Sequence, residues 1–584
     1  MFISQFKCKN VYKVILFNYF LDKNFLKKLI IKKKQMRKES IKRISSIAGL
    51  LILFVVIIAI YNENAEDELT RGVNFFKKHS FSFNDPAVHR HVHKYDHECG
   101  HNKIIEEEKL LDQPKQAFDE SLFEVDDISK VLPIEKDFKN IRIFMDYSNI
   151  ASQPSNIQTF LKTQVVPPIM NHLQEMIKVQ RLTAPIKVDP YYKTKNCGQA
   201  NIKIPAEHIN VGVPNTDLVY YVQAYRDNGN LLAYASYCPQ SDPYGLASGR
   251  PTVAYMNVNL NQLEKDLVSK DPMALAKWIF ILTHEVIHSL VFSPNYFDKF
   301  LAEKNPVKTI AGKPYVVAPS IVKLAKEHFG CPTLDKVPLE DEGGPATFGT
   351  HWERKAFGNE IMTGSQLYDS VFSKFTAGMF TASGWYQVVD YMAGTLTWGV
   401  GEKCEFVEYS CPKSSKEFCS VQAKACSYDY VSPGTCGNND YLADKCNYWE
   451  GYSNQHCNFP DENTKKVYQT SGGAWGAKAR CFNTNVADSA RWIGVKSLCF
   501  ESHCDYSGST TKVIFKVFGQ EYTCTAATKQ ITIPGKGVVD CPDILRFCFS
   551  PSACPYSCSG KGICRLGKCS CYKGFKGEDC SQLA

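Results

Sequence analysis

Apolar and polar positions divide the chain into stretches of different period. Ile44–Tyr61 is an uncharged, largely apolar run, marginal for a membrane span and long for the apolar part of a signal peptide. Residues 62–135 are charged, with few apolar blocks. Ile141–Met145 alternates with the period of a strand. Gln158–Gln180 has helical spacing, interrupted at Pro167-Pro168. Leu218–Tyr225, Leu232–Tyr237 and Thr252–Val258 predict further strands. Residues 273–292 then run without Gly or Pro and are mostly apolar, behind Asp271-Pro272, an N-cap followed by a first-turn proline. A helix this apolar is buried on most sides. The order of strand, helix, strands and long buried helix predicts an α+β unit, a twisted sheet packed on two helices. Val513–Val517 and Glu521–Ile533 predict strands in the second half.

The buried helix contains His284-Glu285-Val286-Ile287-His288. Residues four apart leave the same helix face, so both imidazoles can grip one metal ion, and Glu285 can reach a water on it. Polar groups this deep need partners, and a zinc ion supplies one. A chance match inside a core helix is the alternative. A hydrolytic zinc site takes three protein ligands and one open position. Metzincins place the third in H-E-x-x-H-x-x-G-x-x-H, where glycine lets the helix stop. Here Val291 stands at the glycine position and no histidine follows at the short spacing. The third ligand therefore lies farther along, with His351 the candidate and His328 its competitor. Val291 leaves two expectations: a helix that runs on to Ser293-Pro294, or a distorted site.

Glu342–Arg354 holds His351, and Gly358-Asn359-Glu360-Ile361-Met362-Thr363-Gly364 follows. His351 comes 63 residues after His288, and Met362 eleven residues after His351. With His328-Phe329-Gly330-Cys331-Pro332 between them, these blocks resemble the leishmanolysin family of zinc endopeptidases over roughly residues 95–550. The resemblance implies one zinc ion held by His284, His288 and His351, with Glu285 as general base and Met362 as the Met-turn methionine. It implies a metzincin-like catalytic domain split by a long insertion: 136–292 with the metal helix, 293–350 as insertion, 351–549 as the lower catalytic and Cys-rich mixed/β region. It also implies a propeptide over 62–135. There Cys99 sits among His89, His91, His93, His97 and His101, and a thiolate at Cys99 is a candidate latency ligand for the open position. A solvated His-rich linker is the competing reading.

Charge changes the picture at one end only. Residues 1–43 hold thirteen Lys/Arg against two Asp/Glu, so of the net +8 the rest of the chain contributes −3. No basic patch is implied for the folded part, which excludes nucleic acid as a partner. The basic flank orients a span at 44–61 with its N-terminus in the cytosol. An uncleaved signal anchor and a cleaved signal peptide starting at Met36, with 1–35 untranslated, both stay open. Either places the remainder at the cell surface or outside the cell.

Of 24 cysteines, 22 fall from Cys197 onward, an even number that reads as a disulfide framework in an exported chain. Cys554, Cys558, Cys564, Cys569, Cys571 and Cys580 have the spacing of an EGF-like module over 550–584. That resemblance implies the pairs Cys554–Cys564, Cys558–Cys569 and Cys571–Cys580. The expected partners are protein or peptide substrates, a membrane through 44–61 if the run is retained, and a surface ligand of the EGF-like module. A catalytically inactive surface adhesion protein on a degenerate protease fold is the alternative, motivated by Val291 and the EGF-like tail.

Overall fold

The computed structural model describes residues 101, 104–106 and 134–584, leaving aside 199–200, 241–248, 270–272, 345–346, 366–368, 410, 421–422, 438–439, 461, 463, 466–471 and 487–495. The apolar run at 44–61, Cys99 and Asp271-Pro272 lie outside the described residues. The first half is built on a four-stranded sheet in the order β2-β4-β6-β5, with β2 at Ile143–Asp146, β4 at Leu218–Tyr225, β6 at Val253–Asn259 and β5 at Ala233–Tyr237. β2, β4 and β6 run parallel, and β5 closes one edge antiparallel to β6. β6 is buried along its whole length, as its nearly unbroken apolar sequence requires of a strand covered on both faces.

Before β4, β1 (Ile134–Asn140) and β3 (Ile177–Leu182) pair antiparallel. β1 begins two residues ahead of the expected start of the catalytic unit at 136. The helix expected over Gln158–Gln180 is corrected at two points. It is not broken at its prolines: a π-helical turn, Phe160–Val165, leads into α1 (Val166–Met176), whose first turn holds Pro167 and Pro168. Proline lacks only an N–H that the first turn leaves unused, and the wide turn makes room for its ring. The helix also ends four residues early, because Ile177 is extended (φ −99°, ψ 130°). Ile177 and Val179 are β-branched, alternate with polar residues and bury one face, which favours strand β3 over another helical turn.

The long apolar helix α2 (Ala274–Leu290) packs against β5, β6 and α1 inside the main core. Later in the chain α3 (Pro319–Phe329) and α4 (Lys374–Ser383) pack on each other, each closed by a left-handed glycine, Gly330 or Gly384. The C-terminal region carries an antiparallel meander of Ala479–Asn483, Ser497–Asp505, Lys512–Val517 and Gln520–Cys524. The strand expected over Glu521–Ile533 is two strands. A turn closed by Thr528 N–H to the Thr525 carbonyl (3.0 Å) separates it from Gln530–Ile533, which pairs with Gly537–Asp540. The Cys524–Cys541 disulfide ties that turn to the second hairpin.

All 22 cysteines from Cys197 onward are joined in eleven disulfides, including Cys554–Cys564, Cys558–Cys569 and Cys571–Cys580 in the EGF-like module. That module is docked, not trailing. Ile563 joins the main core. Tyr572 stacks on His172 of α1 at 4.3 Å and an interplanar angle of 10°. The Asn171 side-chain amide donates to the Lys573 carbonyl (2.7 Å). Gly560, at φ +68°, lies against Ala276 and Ile279 of α2, where an added Cβ would sit 3.4 Å from the Ala276 Cα.

Candidate metal centre

His284, Glu285 and His288 are fully buried on the inner face of α2, and His351, arriving from the other half of the chain, is fully buried beside them. The three Nε2 atoms form a near-equilateral triangle: 3.0 Å between His284 and His288, 3.2 Å between His288 and His351, and 3.3 Å between His351 and His284. Tetrahedral zinc with bonds of about 2.0–2.1 Å separates its nitrogen ligands by about 3.3 Å.

Each ring is held from behind. His284 Nδ1–H donates to the Ile361 carbonyl (2.6 Å), His288 Nδ1–H to the Phe292 carbonyl (2.7 Å) and His351 Nδ1–H to the Thr347 carbonyl (3.0 Å). A hydrogen on every Nδ1 leaves a lone pair on every Nε2, so three lone pairs converge on one point. Neutral rings arranged this way repel one another unless a cation sits among them, and the donor set fits zinc. Burial, then the neighbouring rings of His101, His284 and His351, hold His288 well below its ordinary pKa, in the neutral form that a ligand needs.

The local fold explains how the carbonyls reach their places. α2 ends at Leu290, and Val291 turns the chain at φ −154°, ψ −34°. The turn is made without a left-handed residue: the helix does not run on to Ser293-Pro294, and His288 keeps its Phe292 partner across it. The N–H groups of Val291 and Phe292 both donate to the Ile287 carbonyl (3.0 and 3.1 Å). Tyr296 and Tyr386 hydroxyls donate to the Ser289 and Leu290 carbonyls (2.7 and 3.4 Å), which α2 leaves without helical donors.

The segment bearing His351 is fixed by the Glu340 N–H, which donates to the His351 carbonyl (2.9 Å), and by the Trp352 N–H, which donates to the Met362 carbonyl (2.9 Å). Between them Gly358 takes φ +51°, with the Trp398 ring where a Cβ would be, 2.3 Å from its nearest atom, so only glycine fits. Met362 is fully buried in the same core. The carboxylate of Glu360 accepts hydrogen bonds from Met362 N, Ser373 N, Ser373 Oγ and Thr376 Oγ1. Burial pushes its pKa up to about 7 against those donors.

The described residues that gather three candidate ligands into this triangle match the leishmanolysin pattern in sequence as well. The sequence signature of the leishmanolysin peptidase family matches residues 155–441 and 427–550. The chain belongs to the leishmanolysin family. Residues 554–583 match a teneurin-like EGF domain. A leishmanolysin-like peptidase of Drosophila pseudoobscura pseudoobscura is 25% identical over 515 residues, covering 65% of this chain and 72% of that protein. Leishmanolysin of Leishmania tropica is 24% identical over 431 residues, covering 66% and 63%. That of Leishmania major is 27% identical over 433 residues, covering 66% and 68%.

Within this leishmanolysin fold His328 is not at the triangle. It lies on α3 with its Nε2 hydrogen-bonded to the Trp398 carbonyl (2.8 Å), and burial lowers its pKa to about 4. His101 is at the triangle: its ring stacks on His288 at 3.9 Å and 7°, fully buried, and nearby Ile104 and Ile105 are buried too. Sequence reasoning named neither the stacking of His101 nor the support given by Glu360 and the three carbonyls. A glutamate two residues before Met362 was the available signal for Glu360. A backbone acceptor leaves no side-chain signature.

Proposed function

We propose that this chain is a zinc-dependent endopeptidase that cleaves proteins or peptides outside the cytosol. The observation that carries the reading is the Nε2 triangle with every Nδ1 hydrogen committed to a carbonyl. His284, His288 and His351 would hold the ion, and Met362 belongs to the Met-turn beneath them. When bound, zinc supplies Lewis-acid polarisation of a carbonyl and acidifies water to a pKa of roughly 7. Glu285, next to His284 on the buried face of α2, takes the proton of the attacking water on its carboxylate and passes it to the leaving amine. The antiparallel edge strand β5, packed on α2, offers backbone groups for an extended substrate to pair with.

Latency fits the same site. The position of His101 on His288 supports the reading of 62–135 as a propeptide, with the Cys99 thiol two residues away as the group that blocks water. The eleven disulfides support an exported location, with Ile44–Tyr61 as signal anchor or signal peptide. The Nε2 triangle, kept intact across the turn at Val291, favours this reading over a degenerate, adhesion-only protein.

The test is Glu285→Ala in the processed chain. Zinc content stays at one per chain while casein cleavage falls by at least about 10²–10⁴-fold. Cleavage at the parental rate sinks the proposed base. His351→Ala loses zinc, and an unchanged zinc content by elemental analysis reassigns the third ligand.

A further inference from the structure

We propose that Glu360 is a positioning residue for the metal centre, locking the turn whose Ile361 carbonyl orients the ring of His284. The inference rests on the reading of His284, His288 and His351 as metal ligands. Glu360 is 1% exposed, and each of its oxygens has a separate task. Oε2 accepts from the Met362 N–H (2.5 Å). Oε1 accepts from Ser373 N–H (3.2 Å), Ser373 Oγ (2.7 Å) and Thr376 Oγ1 (2.6 Å), the N-terminal residues of α4 and its cap. Thr376 Oγ1 in turn accepts from the indole N–H of Trp352 (3.0 Å), the residue that follows His351. The Trp352 N–H closes the ring on the Met362 carbonyl (2.9 Å).

One buried side chain therefore ties together the turn that supplies the acceptor of His284, the neighbour of His351 and the start of α4. A carboxylate buried this deep costs several kcal/mol unless donors surround it. Four donors do so here, divided between two oxygens. Glutamine could not reproduce the pattern, because it has one acceptor oxygen and its NH₂ would face the Met362 N–H. A sub-ångström shift of the turn would carry the Ile361 carbonyl with it and release the ring of His284. Supports of this kind behind a metal-bound histidine set affinity as well as orientation.

The experiment uses the processed chain, as for Glu285→Ala, and its Glu360→Gln, Thr376→Val and Glu417→Gln variants. Glu417 is a control from another part of the fold, a buried carboxylate that bridges the Gly399 N–H and Arg546. Zinc affinity is read by competition with a chromophoric chelator, together with kcat, KM and the melting temperature of the zinc-free protein. Glu360→Gln is expected to lose about 10–100-fold in zinc affinity and to lower kcat more than it raises KM. Thr376→Val, which keeps the carboxylate and its Met362 bond, loses less in the same direction. Glu417→Gln lowers the melting temperature while its zinc affinity stays within about twofold of the parent. Glu360→Gln that melts lower yet binds zinc as the parent does overturns the proposal. If Glu360→Gln does not fold, unchanged zinc affinity in Thr376→Val overturns it instead. A parent chain that binds no zinc sinks the ligand assignment and, with it, the ground for this inference.

Discussion

Replacing Val291 by glycine restores the residue that the short metzincin motif carries at this position, and it is expected to damage the protein. Glycine earns its place in that motif by turning the chain through a left-handed conformation, but Val291 turns at φ −154°. Nothing is gained from glycine's freedom there, while the fully buried isopropyl group is lost. Removing a buried valine side chain costs about 1.5–3 kcal/mol, and the looser unfolded backbone adds about 0.5–1 kcal/mol. The sum, about 2–4 kcal/mol, corresponds to a fall in melting temperature on the order of 2–5 °C for a unit of roughly 400 residues. Scanning calorimetry under non-reducing conditions, with zinc and with chelator, measures it. Zinc affinity is expected to change little, because His288 is held by the backbone carbonyl of Phe292, which glycine at 291 leaves in place. A Val291→Gly variant that melts as high as the parent, or binds zinc much more tightly, refutes the claim that this exit turn has no need of glycine.

Three further outcomes follow from the packing. Ile563→Ala in the EGF-like module should destabilise the catalytic core by about 2–5 kcal/mol, seen as one shifted melting transition; a separate low-temperature transition of the module alone contradicts its place in the core. His172 is buried as a neutral ring with its pKa lowered to about 4, so the unfolded chain takes up a proton below about pH 6.5 that the folded chain refuses. Stability is then lost as pH falls from 6.5 to 4, by on the order of 3 kcal/mol, and His172→Phe should flatten that acid limb in urea titrations. His101→Ala in the unprocessed chain should speed zinc extraction by chelator several-fold, and an unchanged rate shows that the ring does not cover His288.

Much of this architecture was legible in the sequence where one kind of residue repeats. The apolar run around His284 announced a buried helix, the apolar, β-branched and aromatic runs at Leu218–Tyr225 and Thr252–Val258 announced strands, and the even count of late cysteines announced the disulfides. Legibility failed where a local preference was decided by distant partners. Ile177-Lys178-Val179-Gln180 reads as a last helical turn, yet the chance to pair with Phe138–Asn140 makes it a strand. Val291 looked like a defect because the glycine rule describes one way of leaving a helix, while Tyr296 and Tyr386, five and ninety-five residues on, supply another. The carbonyls of Ile361, Phe292 and Thr347 could not be anticipated, since any residue type carries one.

The docking of Ile563 and Tyr572 against α1 and α2 has a consequence for synthesis. The apolar surface that backs α2 cannot be covered until residue 572 has left the ribosome and, on the export route proposed above, crossed the membrane, some 280 positions after His288. Three cystine pairs must also close before that cover is rigid. With the function and export proposed above, a nascent chain is thus kept from completing this core until translocation is nearly over and an oxidising compartment has been reached, which delays the appearance of active enzyme within the cell that makes it.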